Sequence, residues 1–569
     1  MSQDEPGRKA RLDRVYGSLR PRLVPWTACD RATADGMLDS IFDDVIGPVM
    51  RGPSSSHCAA ALRIGRLARD LMNGGLDEVL IAFDRNGALP TTHDSQGSDM
   101  GLAGGLLGWE ADDERLPVSM QTLRASGVRV RIETVDTGDP HPNTYRLTLR
   151  SPRGQHSLIA ISTGGGMIEV IAVDGFQVSM FGDCFETLLW VGREGQRLAQ
   201  TLATLVSADA VLVHETGDAV LVEVKAPRFV SEQTIAALNG AFDILAVQRL
   251  SPVLPVLSRK DTLVPFRTCA EMLRHDAGRN TPLWRLGVEY ERARGHLSEA
   301  EVLARMVEIV RLLRCSIARG IAGTSYSDRL LGHQSGEFRE RMKAGRLLNG
   351  GVLNRIILYV SALMEVKSSM GVIVAAPTAG ACAALPGAVI ATAEEMGRGE
   401  EAMAQALLAS GVIGVFIATQ SSFAAEVGGC QAEGGSAACM AAAALVDMVG
   451  GTLAQSVAAA SMALQSMLGL ICDPVANRVE APCLGKNVMA ANNALACANM
   501  ALADYDPVIP LDEVIAAAKR VAGQMPRELR CTALGGLSIT PTSKTLEQRL
   551  AARQAAQCES CAGRQQSTP

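Results

Sequence analysis

Three cysteines, each beside glycine or proline, interrupt an Ala- and Met-rich region of helical period, and they constrain the fold of this chain more than any other feature. Cys430 follows a Gly-Gly pair, Cys472 precedes an Asp-Pro pair, and Cys483 follows an Ala-Pro pair. No C-x-x-C pair occurs among them, so the spacing of an ordinary structural zinc site is absent. Burial as small hydrophobic residues is the simplest interpretation, but such residues need no backbone bend around the sulfur. The local context therefore favours metal ligands within a helical region.

The composition indicates a large protein that acts on a small molecule. The chain has 569 residues, 47% apolar and 20% charged, which is enough for more than one domain. Its net charge of −6 argues against a nucleic-acid or anionic-membrane partner. The 14 cysteines are scattered through apolar stretches, which favours the reducing cytoplasm over a disulfide scaffold. Residues 1–25 lack an apolar signal segment, and residues 407–418 are too short to span a bilayer.

The hydrophobic pattern predicts a multidomain fold, with an N-terminal α/β domain, a small β-β-α-β module and a C-terminal all-helical domain. The predicted parts are an extension (1–39), the α/β domain (40–207), the module (208–256), a linker (257–281), the helical domain (282–547) and a flexible tail (548–569). For the module, a regulatory role and a spacer role are both compatible with the sequence.

Short periodic runs define the elements of the first half. In the α/β domain the predicted strands and helices are strands 79–83, 128–135, 145–149 and 157–162, and helices 59–72 and 196–205. In the module they are strands 210–214, 219–225 and 244–250, and helix 231–239.

A serine-rich loop precedes the first predicted helix. Ser54, Ser55, Ser56 and His57 stand just before an apolar-periodic segment that begins near Ala59. Hydroxyls and free backbone N–H groups at a helix N-terminus can bind an anion such as an amino-acid carboxylate. A plain helix cap explains the same serines equally well. Lone histidines are more often structural than catalytic, yet imidazole titrates near neutral pH, so His57 is the best candidate general base.

Several longer motifs resemble one enzyme family. They are residues 46–48 and 52–57, residues 369–371 and 377–380, residues 425–433, residues 472–475 and 481–483, and residues 534–542. Together they resemble the iron–sulfur-dependent bacterial L-serine dehydratases (L-serine ammonia-lyases). The match covers about residues 40–207 and 282–547, in the order of a fused beta and alpha domain.

The resemblance implies a cofactor and a reaction. Cys430, Cys472 and Cys483 would hold a [4Fe–4S] cluster in a helical, cluster-binding domain, and three thiolates would leave one iron open. That iron would act as a Lewis acid on the hydroxyl of L-serine. The products would be pyruvate and ammonia, and the family resemblance also implies a homodimer.

The same resemblance assigns roles to individual residues. His57 and Ser55 would be catalytic, and the substrate would contact a wider set: Ser54, Ser55, Ser56, His57, Asn143, Thr144, Thr378, Gly380, Lys486 and Asn487. For Asn143 and Thr144 the alternative is turn chemistry, and for Lys486 a solvated surface position. The chain departs from the family pattern at Cys58, Ala60 and Gln96, which leaves the detailed substrate contacts open. Cys558 or Cys561 could cap the open iron, or could be free thiols on the tail.

Other functions remain open at this stage. The substrate could be L-threonine or another β-hydroxy amino acid. A pyridoxal-phosphate dehydratase would catalyse the same reaction, but Lys367 lacks a full phosphate-binding motif around it. A non-catalytic amino-acid sensor on the same scaffold is a further hypothesis, although a sensor has no need of an open iron.

Overall fold

The computed structural model describes residues 38–217 and 219–565, with side chains described as far as residue 553. The protein is multidomain, with mixed sheets in the N-terminal region and a helical C-terminal half. Most of the predicted extension lies outside the described residues. Its last two positions are anchored in the helical half, because Arg294 donates to the carbonyl of Leu38 and Tyr290 to that of Asp39.

Within the described residues, twelve strands form three sheets. The strands are β1 Val49–Met50, β2 Glu78–Asp84, β3 Arg129–Val135, β4 Thr144–Ser151, β5 Gly154–Gly164, β6 Met167–Val173, β7 Phe176–Met180, β8 Phe185–Val191, β9 Ala210–Thr216, β10 Ala219–Ala226, β11 Ile244–Leu250 and β12 Ile373–Val374. The largest sheet has the order β3-β2-β4-β5-β6-β7, with β2 and β3 parallel and the other pairs antiparallel.

Alternating burial explains the six-stranded sheet. In β2 the buried positions are Val79, Ile81 and Phe83, which face the helix Ala60–Leu71 across a shared core. The four strands predicted for this region form within a few residues of their predicted bounds, whereas β6 and β7 were not predicted.

The predicted β-β-α-β module is incomplete, because a strand and a helix that precede residue 208 belong to it. Its sheet has the order β11-β8-β10-β9, and β8 lies between β10 and β11. The helices Gly195–Leu205 and Glu232–Asn239 make this a β-α-β-β-α-β unit. Leu188 and Trp190 of β8 join the core of the large sheet, and Leu189 joins the core under the module's helices. A strand that is apolar on both faces has no alternation, so the pattern did not reveal it.

Helices make up nearly all of the second half. After β11 they are Cys269–Asp276, Leu283–Gly295, Glu299–Ala322, Ser335–Lys343, Val352–Lys367, Ala384–Glu395, Glu400–Gln420, Ala425–Gly428, Ser436–Met448, Leu453–Gln465, Cys483–Leu502, Leu511–Gln524 and Pro541–Gln565. The predicted linker therefore contains a helix. The predicted flexible tail begins inside the last helix, so its described part is helical.

The helix Glu400–Gln420 is the centre of this half. It alone among the described helices has the length and apolarity of a membrane span, and 78% of that window is buried inside the protein. The core helix of a globular domain has the same properties, and this helix packs against Leu283–Gly295, Glu299–Ala322 and Ser436–Met448.

The chain segment before the serine loop crosses into the helical core. Ile41 and Val45 are fully buried there, and β1 pairs with β12, with Val49 opposite Val374. Glu291 fixes the start of the segment by accepting from the Ser40 hydroxyl at 2.6 Å and from the Ile41 N–H at 2.7 Å. This crossing carries the serine loop to the helical half.

We expect the stability of the protein to fall when one methyl group is added where residues 41–45 pack against the helix Glu400–Gln420. A Cβ on Gly414 would lie 2.1 Å from Val45 Cγ1, so Gly414→Ala overpacks the contact and should destabilise the protein by about 1–3 kcal/mol. The measurement is chemical denaturation followed by circular dichroism. The matched control is Gly523→Ala in the helix Leu511–Gln524, where a Cβ meets no atom within 4 Å. That variant should be neutral or stabilised by up to about 1 kcal/mol, and equal effects of the two changes would contradict the packing argument.

Candidate active site

The three predicted cysteines are brought together from separate segments, and all are buried. The Sγ atoms of Cys430 and Cys472 and a carboxylate oxygen of Glu433 lie within 4.8 Å of one another. Cys483, the first residue of the helix Cys483–Leu502, is close enough for the charge of Cys430 to raise the pKa of its thiol, after the larger effect of burial. The structure thus forms a compact, thiol-rich site.

Backbone bends explain the glycine and proline neighbours of these cysteines. Gly429 has φ of 69°, and a Cβ there would lie 2.9 Å from the Leu470 carbonyl oxygen. Only glycine fits that conformation and that contact without strain. Cys472 leaves the helical pattern altogether, since its N–H donates to the Leu529 carbonyl at 2.8 Å.

A fourth cysteine, which sequence reasoning missed, stands at the same place. Cys531 is buried, packs with Cys430 and Cys472, and hydrogen-bonds Cys472 through the thiols. The amide of Gln96 donates to its Sγ at 3.4 Å. We call these four residues, Cys430, Cys472, Cys483 and Cys531, the cysteine site. The signal was available, because Cys531 lies just before the Gly-Gly motif of residues 534–542. The side chains of Cys558 and Cys561 lie outside the described ones.

Positive charge lies against the thiols. The Lys486 ammonium donates to Asp473 at 2.7 Å and to the Ile471 carbonyl at 2.7 Å, and lies 3.7 Å from Cys430 Sγ. Burial lowers the pKa of Lys486, but Cys430 and Asp473 more than offset this and raise it. Lys486 is therefore not a solvated surface residue. The ammonium of Lys367 is also buried and donates to the Val479 carbonyl.

The thiols themselves need a cation to ionise. Hydrogen bonds with Cys430 and Cys531, together with burial, hold the pKa of the Cys472 thiol well above its usual range. A bound metal reverses such a preference, because thiolates are its ligands and binding releases their protons. Soft thiolate donors in a buried site fit an iron–sulfur cluster or another thiophilic metal.

The serine loop, residues 54–57, faces this site from the other half of the chain. Its four side chains are buried, and Ser54 makes no capping hydrogen bond to the following turn. The N–H of Ala379 donates to the Ser55 hydroxyl oxygen at 3.1 Å, which fastens the loop to the helical half. Capping therefore does not explain Ser54.

Hydrogen bonds fix the tautomer of His57. Its Nε2 lies 2.8 Å from the Thr92 hydroxyl, which itself donates to the Ala88 carbonyl at 2.7 Å. Thr92 must therefore accept, and Nε2 carries the hydrogen. Nδ1 is the acceptor and lies 3.0 Å from the Ser54 hydroxyl. Burial, with a smaller contribution from His93, lowers the pKa of His57 to about 3, so the ring is neutral.

A buried carboxyl group adjoins the same ring nitrogen. Glu426 Oε1 lies 3.4 Å from His57 Nδ1, and burial raises the pKa of Glu426 to about 7, with a further rise from Glu433. Asn143 and Ser56 face this carboxyl and lower its pKa slightly. Among the described residues, Glu426 Oε2 and both amide atoms of Asn143 have no well-aligned hydrogen-bond partner. Glu426 belongs to a motif used above for the resemblance, but sequence reasoning gave it no role.

Most of the remaining side chains that were predicted to contact the substrate make hydrogen bonds to other groups of the protein. The Thr378 hydroxyl donates to Glu433 at 2.7 Å, and a Cβ on Gly380 would lie 2.6 Å from the same carboxylate. Asn487 accepts from the N–H groups of residues 383 and 384 and donates to the Gly380 and Cys483 carbonyls. Thr144 donates to the His141 carbonyl at 2.8 Å. The Asn487 and Thr144 side chains therefore brace the surrounding segments.

Comparison with known proteins identifies the family. The family model described as "Serine dehydratase alpha chain" matches residues 278–538. The probable L-serine dehydratase alpha chain of Bacillus subtilis is 35% identical over 253 residues, which cover 44% of this chain and 84% of the relative. The probable L-serine dehydratase beta chain of the same organism is 39% identical over 144 residues, 25% of this chain and 64% of the relative.

A third relative aligns with both halves of the molecule. The L-serine dehydratase of Streptomyces coelicolor is 28% identical over 517 residues, which cover 88% of this chain and 99% of the relative. Matches to separate alpha and beta chains and to one long chain are what a fused enzyme would give. The chain belongs to the serine dehydratase family.

Proposed function

We propose that this chain is an L-serine dehydratase, which converts L-serine to pyruvate and ammonia. One observation carries the proposal: the serine loop and the cysteine site come from opposite halves of the chain and are linked through Glu426, which lies 3.4 Å from His57 and acts electrostatically on Cys531. The names of the relatives support the same substrate and reaction. The proposed catalytic and binding residues are those that this site brings together.

The proposed cofactor is a [4Fe–4S] cluster held by Cys430, Cys472 and Cys483. The buried thiols and the adjacent Lys486 ammonium fit such a group, because thiolates are its usual ligands and a cation offsets its negative charge. When bound, the cluster supplies Lewis acidity that makes the substrate hydroxyl a better leaving group.

The protein's own residues are proposed to bind and orient the amino acid. The serine loop lies at the N-terminal end of the helix Ala60–Leu71, where the helix dipole favours a carboxylate. The amide oxygen of Asn143 and the carboxyl oxygens of the adjacent Glu426 offer acceptors for the α-ammonium group. Their burial excludes water, which strengthens each of these contacts.

His57 is proposed to remove the α-proton. Its Nδ1 carries the basic lone pair of the ring, which the Ser54 hydroxyl faces at 3.0 Å, and Thr92 holds the other nitrogen as a donor. As the C–H bond breaks, its electrons form the double bond between Cα and Cβ, and the hydroxyl group leaves from Cβ. The product, 2-aminoacrylate, tautomerises and takes up one water to give pyruvate and ammonia.

Metal analysis of cysteine variants tests the proposed cofactor. Anaerobically reconstituted wild type should contain about four irons and four sulfides per chain, and Cys472→Ala should lose most of both. The matched control is Cys439→Ala, because Cys439 is equally buried but lies in the helix Ser436–Met448, away from the site. Cys531→Ser should also keep the cluster, since the three proposed ligands remain. Zinc without sulfide in the wild type, or full iron in Cys472→Ala, would overturn the assignment.

Turnover of a histidine variant tests the reaction. Wild type should release pyruvate from L-serine, and His57→Asn should lower kcat by about 10²–10⁴-fold, the usual contribution of a general base. Iron and sulfide content should not change. His275→Asn is the control, because His275 is partly exposed and pairs with Glu289 outside the site. Faster turnover of L-threonine than of L-serine would redirect the substrate assignment, and amino-acid binding without turnover would favour a sensor.

A further inference from the structure

We propose that Glu426 and His57 work as one proton-accepting unit, in which Glu426 holds the charge that forms on His57. This inference rests on the proposed function, because it concerns the base that removes the α-proton of the substrate. Glu426 is a positioning and charge-holding residue in this account, and His57 is the group that reaches the substrate. Neither the resemblance nor the relatives' names give Glu426 a role.

Nδ1 of His57 and Oε1 of Glu426 are two adjacent acceptors that can share one proton. His57 has a single free lone pair, on Nδ1, because its Nε2–H is committed to Thr92. Glu426 Oε1 faces that lone pair at 3.4 Å, and both side chains are buried, at 0% and 2% exposure. Two acceptors this close repel each other out of water unless a proton lies between them.

Two hydrogen-bonding states of His57 Nδ1 are possible, because either Glu426 or the Ser54 hydroxyl can donate to it. With Glu426 protonated, the carboxyl can donate to Nδ1. With Glu426 ionised, Ser54 donates to Nδ1 instead, at the observed 3.0 Å. The second state is the one competent to accept a proton, since the carboxylate then carries the compensating negative charge.

Because His57 is buried, its protonated form needs the neighbouring Glu426 carboxylate. A protonated imidazole is strongly disfavoured in this position, as the lowered pKa of His57 indicates. An adjacent carboxylate offsets that cost, so a proton taken from Cα can rest on the His57–Glu426 pair. The C–H electrons form the new double bond as the C–O bond breaks. After the product leaves, the proton returns to solvent.

The groups around the pair set its charge balance. Glu433 from the following turn, Tyr145 of β4 and Cys531 face Glu426 electrostatically, and His93 faces His57. Burial, and after it the charge of Glu433, disfavours a negative charge on Glu426 and raises its pKa to about 7. A carboxyl group with a raised pKa in the folded protein is ionised mainly above that pH. Activity that needs the carboxylate should therefore fall as the pH drops below about 7.

The test is the pH profile of Glu426→Gln in the iron-loaded holoenzyme. We expect kcat to fall at least about 10²-fold, with iron and sulfide unchanged. The acidic limb of kcat/KM, with its midpoint near pH 7 in the wild type, should disappear. The His57→Asn, Glu426→Gln double variant should be no worse than the slower single variant, because residues that act as one unit are not additive.

A matched control and a second measurement make the outcome decisive. Asp447→Asn removes a partly buried carboxyl, whose pKa burial raises to about 6, from the N-terminus of the helix Leu283–Gly295 outside the site. It should leave the acidic limb in place. Infrared difference spectra of the wild type should show a carboxyl group that titrates near pH 7, shifts in His57→Asn and is lost in Glu426→Gln.

Several results would overturn the pairing. They are an unchanged acidic limb in Glu426→Gln, a rise in KM with kcat intact, additive losses in the double variant, or an infrared titration that His57→Asn does not move. If Glu426→Gln does not fold, the infrared shift in His57→Asn decides. Absence of pyruvate from wild type would instead refute the proposed function, and the infrared titration would still test the pair.

Discussion

The site depends on one packing contact, that of residues 41–50 against the helix Glu400–Gln420. Gly411 and Gly414 of that helix leave room for the side chains of Ile41 and Val45, at distances where any Cβ would clash. The pairing of β1 with β12 then holds the chain in register next to the residues that precede Thr378. Without this crossing, the serine loop would belong to the α/β half alone. The small residues of the helical half thus have a role beyond close helix packing.

A second constraint is that the ionisable side chains of the site are buried away from water. The cysteine site, Glu426 and Lys367 are all nearly inaccessible to solvent. In such surroundings an ionised group is stable only with a partner of opposite charge. Lys486 and Asp473 form one such pair beside Cys430, and the other acidic groups have raised pKa values.

Local pattern could predict the elements and the motif residues, but not the contacts between distant segments. Four strands of the large sheet were predicted from their alternating patterns, whereas β6 and β7 of that sheet were missed. Strand β8 was also missed, because it is buried on both faces and does not alternate. The cysteines beside glycine or proline stood out because the backbone must bend there. Cys531 has no such neighbour and takes φ of 57°. Its place beside Cys472 follows from the pairing of Leu529 with Cys472 across the fold. The sequence pattern also gave no role to Glu426, because that role depends on its contact with His57 in the other half of the chain.

The same reasoning explains why the module is not a detachable unit. Strand β8 shares its Leu188 and Trp190 with the core of the large sheet, and Lys225 of β10 donates to the Ser179 carbonyl of β7. A buried ion network, Lys225 with Glu186 and Glu223, lies at this contact. Removing one charge from such a network leaves its partners buried and unpaired, which costs several kcal/mol, about 3–5 in comparable cases. The module and the large sheet are therefore joined by shared core side chains of β8 and by the Lys225 contact with β7, so a change in the packing of one alters the packing of the other.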